Sequence, residues 1–438
     1  MPRPSLLLLE HADPLVTMNS ERDVLADGWV AARDGIIVAL GTGRPPQMID
    51  GIPGEDWPRL NASGCVVTPG LINTHHHLFQ TRTRAHRAAV DAELFDWLHS
   101  LYPIWAQLSE DDIYQGVKVG LRELMRSGCT TTADHHYLFP RNLSPNLIDI
   151  TIEAAFEVGI RFHATRGSMS RSEKDGGLPP DSVVQDPDTI LADSERLISQ
   201  YHDPEPGAMI RIALAPCSPF SVGAQLMRDT ATLARKYGVR LHTHLAETRD
   251  ENHFCQDAYS QRPIDFLESV GWLESDVWIA HGIFFTPDEV VRLGQAGVGI
   301  THCPSSNMRL GSGVCRVRDL REAGCPVSIG VDGSASNDSS NLLAECRQAL
   351  LLHRLCHGAP GMTVGEILEM ATLGGACCLG RDDIGAIVPQ NCCDLALFDL
   401  TDIAYDKVDD RVAALLLCDP PPARSIVIDG RVIEPKIS

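Results

Sequence analysis

The sequence predicts an α/β fold: a (β/α)8 TIM-like barrel with a small β-sandwich domain assembled from both chain ends. Three observations carry this. Between residues 66 and 382, eight short apolar runs alternate with helical stretches, the pattern of parallel strands joined by helical crossovers. The outer parts read instead as short strands punctuated by Gly and Asp. Histidines and acidic residues recur at the ends of the apolar runs, where a barrel of this kind carries its active site.

The expected organisation is therefore 1–65 as the first part of the small domain, 66–382 as the barrel, and 383–438 as the second part. The first part holds "SLLLLEH", "DGWVAAR" and "GIIVALG"; the last holds "DLALFDL" and "SIVIDGRVI", with an Asp-Gly turn in the second. The barrel runs begin with "VVTPGLINT", ending at Thr74, "CTTTADHHY" from Cys129, "GIRFHATR" from Gly159 and "MIRIALAPC" from Met209. They continue with "VRLHTHL" from Val239, "DVWIAHG" from Asp276, "GVGITHC" from Gly297 and "PVSIGVD" from Pro326. One intervening helix opens at Ser109, with Asp112 three residues on as in a capping box. Ile113, Val117, Leu121 and Leu124 mark its apolar face, and Gly128 stops it. A second runs from Ser221 to a stop at Gly238. A doubly wound sheet is the competing architecture, but no glycine-rich nucleotide fingerprint follows the first strand.

Composition narrows the function. The 438 residues are 44% hydrophobic and 22% charged, a globular balance. A formal net charge of −21 argues against nucleic acid and anionic membrane surfaces, both of which are bound through clustered Lys and Arg. No apolar run approaches the roughly 18 residues of a membrane span. The N-terminal apolar patch, cut off by Glu10 and Asp13, reads as a strand and not as a signal peptide. The 14 cysteines are scattered and form no C-x-x-C, so reduced thiols in a cytoplasmic protein are expected.

The strand ends carry the chemistry. The first ends in "THHHL", giving His75 and His77 on one side and His76 on the other. The fifth gives His242, His244 and Glu247, the sixth His281, the seventh His302 and the eighth Asp332. A lone histidine at a strand end is usually a satisfied polar residue. Imidazoles and a carboxylate converging from four strands of one barrel make a divalent-metal site. The H-E-x-x-H motif is absent, and Phe220 stands where a P-C-x-x-C deaminase would need its second cysteine. The fourth strand has no lysine to bridge two metals, so one ion is expected.

The segments "TPGLINTHHH", "HTHLAE", "AHG" and "VDGSASND" resemble the amidohydrolase superfamily, within its cytosine, guanine and triazine deaminase branch. The resemblance covers nearly the whole chain. Gln390, Asn391 and Cys393-Asp394 depart from the residues more common at the return into the small domain. The resemblance implies that His75, His77, His244 and Asp332 bind one Zn²⁺, with iron suited to the same donors. It implies that His281 orients the attacking water, that Glu247 shuttles protons, that Asp332 also accepts a proton, and that Gln80 contacts a ring carbonyl of the substrate. Arg166, Cys217 and Trp97 are expected to line the pocket, with Tyr102 beside Trp97 in a lid. Arg166 has an alternative partner in Asp134, and Trp97 an alternative role in packing. His135, His136 and His302 are expected to be structural.

The implied reaction is hydrolytic deamination of an amino-substituted heteroaromatic ring, with 8-oxoguanine giving urate and ammonia expected first. Isocytosine, guanine, a pterin or an s-triazine are alternatives on the same site. A non-catalytic barrel serving binding or assembly is the alternative of another class. A small heterocycle is the expected partner, and homo-oligomerisation the usual state for such enzymes.

Overall fold

A computed structural model describes residues 5–434. Its centre is an eight-stranded parallel sheet whose strands follow one another in chain order. They are Leu71–Asn73, Cys129–His136, Arg161–Ser168, Ile210–Pro216, Leu241–Leu245, Val277–His281, Gly299–His302 and Val327–Ile329. The first and eighth meet at their C-terminal ends. His76 and His77 pair there with Asp332 and Gly333, and Thr74 Oγ1 bonds Ser328 Oγ at 2.6 Å. The sheet is thus nearly closed, and its interior is side-chain core.

Helices cover the outside. Glu110–Arg126 has the full capping box of Ser109 and Asp112, and its Ile113, Val117, Leu121 and Leu124 are buried. Each such side chain contributes roughly 1.5–3 kcal/mol on burial. The helix expected from Ser221 starts later, at Ala224, and ends at Tyr237 before a left-handed Gly238.

The chain ends build two facing sheets. One has four strands, the longest being Leu6–Ala12, Gly28–Arg33 and Ile36–Thr42; the other has six, including Cys65–Pro69, Leu395–Asp399 and Ala423–Ile428. Leu7, Leu9, Val30 and Ile37 of one sheet share a buried cluster with Val67, Leu397 and Val427 of the other, which is a sandwich core. The run "VVTPGLINT" is therefore two strands. Cys65–Pro69 pairs with Leu395–Asp399 in the small domain, and only Leu71–Asn73 enters the barrel. The expected boundary at residue 66 falls inside the first of these. Gly70 is the crossing point: a Cβ there would lie 2.0 Å from Thr130 Oγ1, so no side chain fits. A buried bidentate pair, Arg161 to Asp394 at 2.6 and 3.1 Å, ties the foot of the third barrel strand to the small domain. Among the described residues, no helix is long and apolar enough to cross a membrane.

Candidate active site

The polar strand ends converge where the first and eighth strands meet. His75, His77 and His244 are buried there with His281 and Asp332. His281 and Asp332 hold left-handed backbone, φ 73° and 61°, a conformation that costs a non-glycine residue roughly 1–3 kcal/mol and clusters at functional sites. His281 is the last residue of the sixth strand, and Asp332 lies three residues past the end of the eighth.

Hydrogen bonds fix the tautomers. His77 Nδ1 donates to the His135 carbonyl at 2.8 Å, and His244 Nδ1 donates to the Cys217 carbonyl at 2.7 Å. His281 Nδ1 donates to Asn307 Oδ1 at 2.9 Å. His242 Nδ1 donates to the Trp278 carbonyl at 2.8 Å, which leaves His242 Nε2 to accept from His75 Nδ1, also at 2.8 Å. A neutral imidazole with a donating Nδ1 has a bare Nε2. Burial holds His75 well below the usual histidine range and His244 at about 3, so these rings carry no second proton.

Four bare Nε2 atoms thus face one point. Those of His77 and His244 stand 3.1 Å apart, and those of His75 and His77 stand 3.2 and 3.3 Å from Asp332 Oδ1. His75 Nε2 has no hydrogen-bond partner. Lone pairs at that separation repel unless a cation lies among them. Donors held at about 2.0–2.1 Å by one tetrahedral ion are themselves about 3.3 Å apart. The donor set therefore fits a divalent metal, and two overlapping groups, His75/His77/His135/His244 and His75/His244/His281/Asp332, bring their ligand atoms within 4.8 Å. His135, expected to be structural, donates Nε2 to the Ala215 carbonyl and leaves its Nδ1 unpartnered beside this set. His136 bonds the Leu138 carbonyl, and His302 faces His353 at 3.3 Å, both away from the metal point.

Glu247 sits beside the ring, its Oε2 3.6 Å from His281 Nε2. Burial, then the charges of Asp332 and Glu251, push its carboxyl well above the ordinary range, the direction a proton carrier needs. Its backbone is clamped. Glu251 accepts from the N–H groups of Ala246 and Glu247 at 2.8 and 3.0 Å, while the Ala246 carbonyl accepts from Ile283 and Phe284, both at 2.9 Å.

A tight cavity opens over these groups. Gln80, Cys217, Trp97 and Tyr102 line it, with Tyr137 and Phe220. Gln80 reaches it because residue 333 is glycine: a Cβ there would lie 1.9 Å from Gln80 Oε1. Burial raises the Cys217 thiol to about 12, so it is a neutral wall. Trp97 lies on the helix Leu94–Trp105 and is pinned by its Nε1–H to the Ala335 carbonyl at 3.1 Å. Arg166 is a correction: it is not among the lining residues. Its guanidinium is buried against Asp193 at 2.8 Å and Gln185 at 2.8 Å, over the Phe139 ring. Asp134, the alternative partner, instead accepts from the Leu78 N–H.

Sequence reasoning named His242 only as a strand-end histidine and missed Asn307 and Glu251; the three hold His75, His281 and Glu247. Two signals were present. His242 and His244 share one strand face, and Thr248 with Glu251 has capping-box spacing. The Thr248 hydroxyl accepts from the Glu251 N–H, but the carboxylate reaches past the cap to the preceding turn.

Barrel, strand-end ligands and buried carboxyl together define a metal-dependent hydrolase. The chain belongs to the amidohydrolase family, whose model matches residues 66–432. It is 51% identical to the 8-oxoguanine deaminase of Pseudomonas aeruginosa over 93% of this chain and 90% of that protein. It is 39% identical to the hydroxydechloroatrazine ethylaminohydrolase of Pseudomonas sp. strain ADP, over 96% and 89%. Among solved structures it resembles an atrazine chlorohydrolase from Arthrobacter aurescens TC1 complexed with zinc, with TM-score 0.93, 33% identity and coverage of 98% and 95%.

Proposed function

We propose that this protein is a zinc-dependent deaminase that converts 8-oxoguanine and water to urate and ammonia. One observation carries the chemistry: bare Nε2 atoms of His75, His77 and His244 gathered with the Asp332 carboxylate around one point. The choice of ring is supported by the 51% identity to an 8-oxoguanine deaminase across nearly the whole chain.

In this reading His75, His77, His244 and Asp332 hold the ion; iron suits the same donors. A bound zinc ion lowers the pKa of water from 15.7 to about 7, which makes a nucleophile available at neutral pH. His281, fixed by Asn307, orients the attacking oxygen through its bare Nε2. The second oxygen of Asp332, 3.9 Å from that nitrogen, accepts the oxygen's proton. Glu247 gives its proton to the ring nitrogen next to the C–NH₂ carbon as the C–O bond forms. It then takes up the proton of the newly attached hydroxyl, as that oxygen becomes the product carbonyl, and passes it to the amine, so that the C–N bond breaks with ammonia as the leaving group; the proton held by Asp332 then returns to Glu247. Gln80 presents its amide to a ring carbonyl. Trp97 and Cys217 close the apolar faces of the pocket.

The 14 cysteines carry no disulfide, which supports a cytosolic site of action, and the same proposal has the enzyme assemble from identical chains. Steady-state ammonia release from 8-oxoguanine, guanine, isocytosine and a hydroxy-s-triazine tests the ring. Faster turnover of 8-oxoguanine than of the others is expected. Turnover of a triazine or isocytosine alone would overturn the substrate while leaving the metal site intact.

A further inference from the structure

The opposite end of the barrel holds a second polar cluster that the proposed reaction does not use. A cleft of about 400 Å³ opens there, lined by His163, His202, Arg211, Arg235 and Arg240, with Asp276 the single acidic residue in its wall. The strands bring these groups together. His163 and Arg211 are register partners near the starts of the third and fourth strands, and Arg240 immediately precedes the fifth. Three arginines in one cleft are unusual in a chain of net charge −21.

Asp276, Asp383 and Asp203 are already engaged, and the exposed Asp382, whose charge also reaches Arg211, makes no hydrogen bond to it. Asp276 takes Arg235, at 2.8 and 3.1 Å. Asp383 takes Arg381 at 2.6 Å and the Gly207 N–H at 2.7 Å. Asp203 accepts from the Glu205 N–H at 3.0 Å. Arg211 meets only the carbonyls of Gly380, Pro204 and Glu205, at 3.0 to 3.3 Å, and Arg240 the Ser275 carbonyl at 3.1 Å. Among the described residues, Arg211 Nε, Arg240 Nε and His163 Nε2 are buried without a partner, and His163 is only 4% exposed. His202 Nδ1 accepts from the Ile212 N–H at 3.1 Å, which leaves its Nε2–H as a further donor. Burial of unpaired polar atoms is costly, and this cluster, with two guanidinium Nε–H groups unpartnered in it, calls for an anionic acceptor.

We propose that this cleft binds a phosphate-class oxyanion, free or as the end group of a small phosphate monoester, on Arg211, Arg240, His163 and His202. Guanidinium groups match tetrahedral oxyanions with paired N–H donors. The site is remote from the metal point, so its occupant is not the substrate of deamination.

The test is thermal unfolding of the metal-loaded protein titrated with inorganic phosphate against chloride at constant ionic strength, with glycerol phosphate in a parallel arm. A saturable rise in Tm is expected. It should need at least about tenfold more phosphate in Arg211→Gln/Arg240→Gln, since each lost charge-assisted bond is worth about a factor of ten. A rise with both ligands supports the site and assigns the monoester as a source; a rise with phosphate alone supports it and assigns the free ion. Absence of a saturable rise overturns the proposal, as does one unchanged in the double variant. Because that variant can fail to fold, tungstate soaked into crystals of the unaltered protein gives the second reading. Anomalous density in the cleft supports the site, and density confined to the metal end overturns it. Neither measurement depends on which heterocycle is deaminated.

Discussion

At the C-terminal ends of the barrel strands, ring nitrogens without protons face one another; at the N-terminal ends, N–H groups without acceptors do. His75, His77, His244 and His281 present bare Nε2 atoms above the core, while Arg211 and Arg240 present unpartnered Nε–H donors, and His163 an unpartnered Nε2, below it. The first cluster is buried and the second half-buried, and both hold buried polar atoms without a protein partner. The first calls for a cation and the second for an anion. The two are joined by a column of rings: His163 meets Trp278 edge-on at 5.7 Å, Trp278 stacks on His242 at 4.4 Å, and His242 accepts from His75. The lesson is that hydrogen-bond accounting, carried through to tautomers, tells a ligand set from a packed polar core.

The comparison can be broken at its strongest point first. His77→Ala removes one of the converging lone pairs, so zinc content should fall and deamination should drop to background. Metal analysis after dialysis, with ammonia release on the same sample, checks both. Glu247→Gln should keep the metal and lower kcat by about 10²–10⁴-fold, the usual contribution of a general acid–base group. A variant with full kcat would remove Glu247 from the proton path. His242→Phe keeps the stack on Trp278 but deletes the acceptor that fixes the His75 tautomer. Zinc affinity, read by competition with a chelator, should weaken by about 10–100-fold.

Arg166 sharpens the comparison from the other side, because it is buried and charged yet complete. Arg166→Met removes one of the two guanidinium groups on Asp193, the other being that of Arg196. Stability should fall by about 1–3 kcal/mol, the range for removing one partner of a buried polar group, with KM for 8-oxoguanine unchanged. A raised KM with unchanged stability would return Arg166 to the substrate pocket.

Much of this was legible in the sequence because barrel strands are local and periodic. Eight apolar runs gave eight strands, and period-two spacing put His75 with His77 and sent His76 outward to Ser340. What escaped was set by contacts distant in sequence. "VVTPGLINT" reads as one strand because both of its halves are apolar; only the close approach of Thr130 to Gly70 shows where the chain changes domain. Arg166 looks like a pocket residue at a strand end until the helix Pro187–Tyr201 brings Asp193 against it. Asn307 and Glu251 are ordinary polar residues in the sequence, and they matter only through the atoms they hold. The basic cleft was invisible for the same reason: its arginines come from two strand starts and a helix, with no cluster along the chain.

The central claim is that one bound metal and these side chains deaminate 8-oxoguanine. The most direct measurement follows urate and ammonia together from 8-oxoguanine, before chelation, after chelation and after zinc is restored. Equal amounts of both products, lost with the metal and regained with zinc, are expected. Turnover that survives complete removal of metal, or ammonia without matching urate, would contradict it.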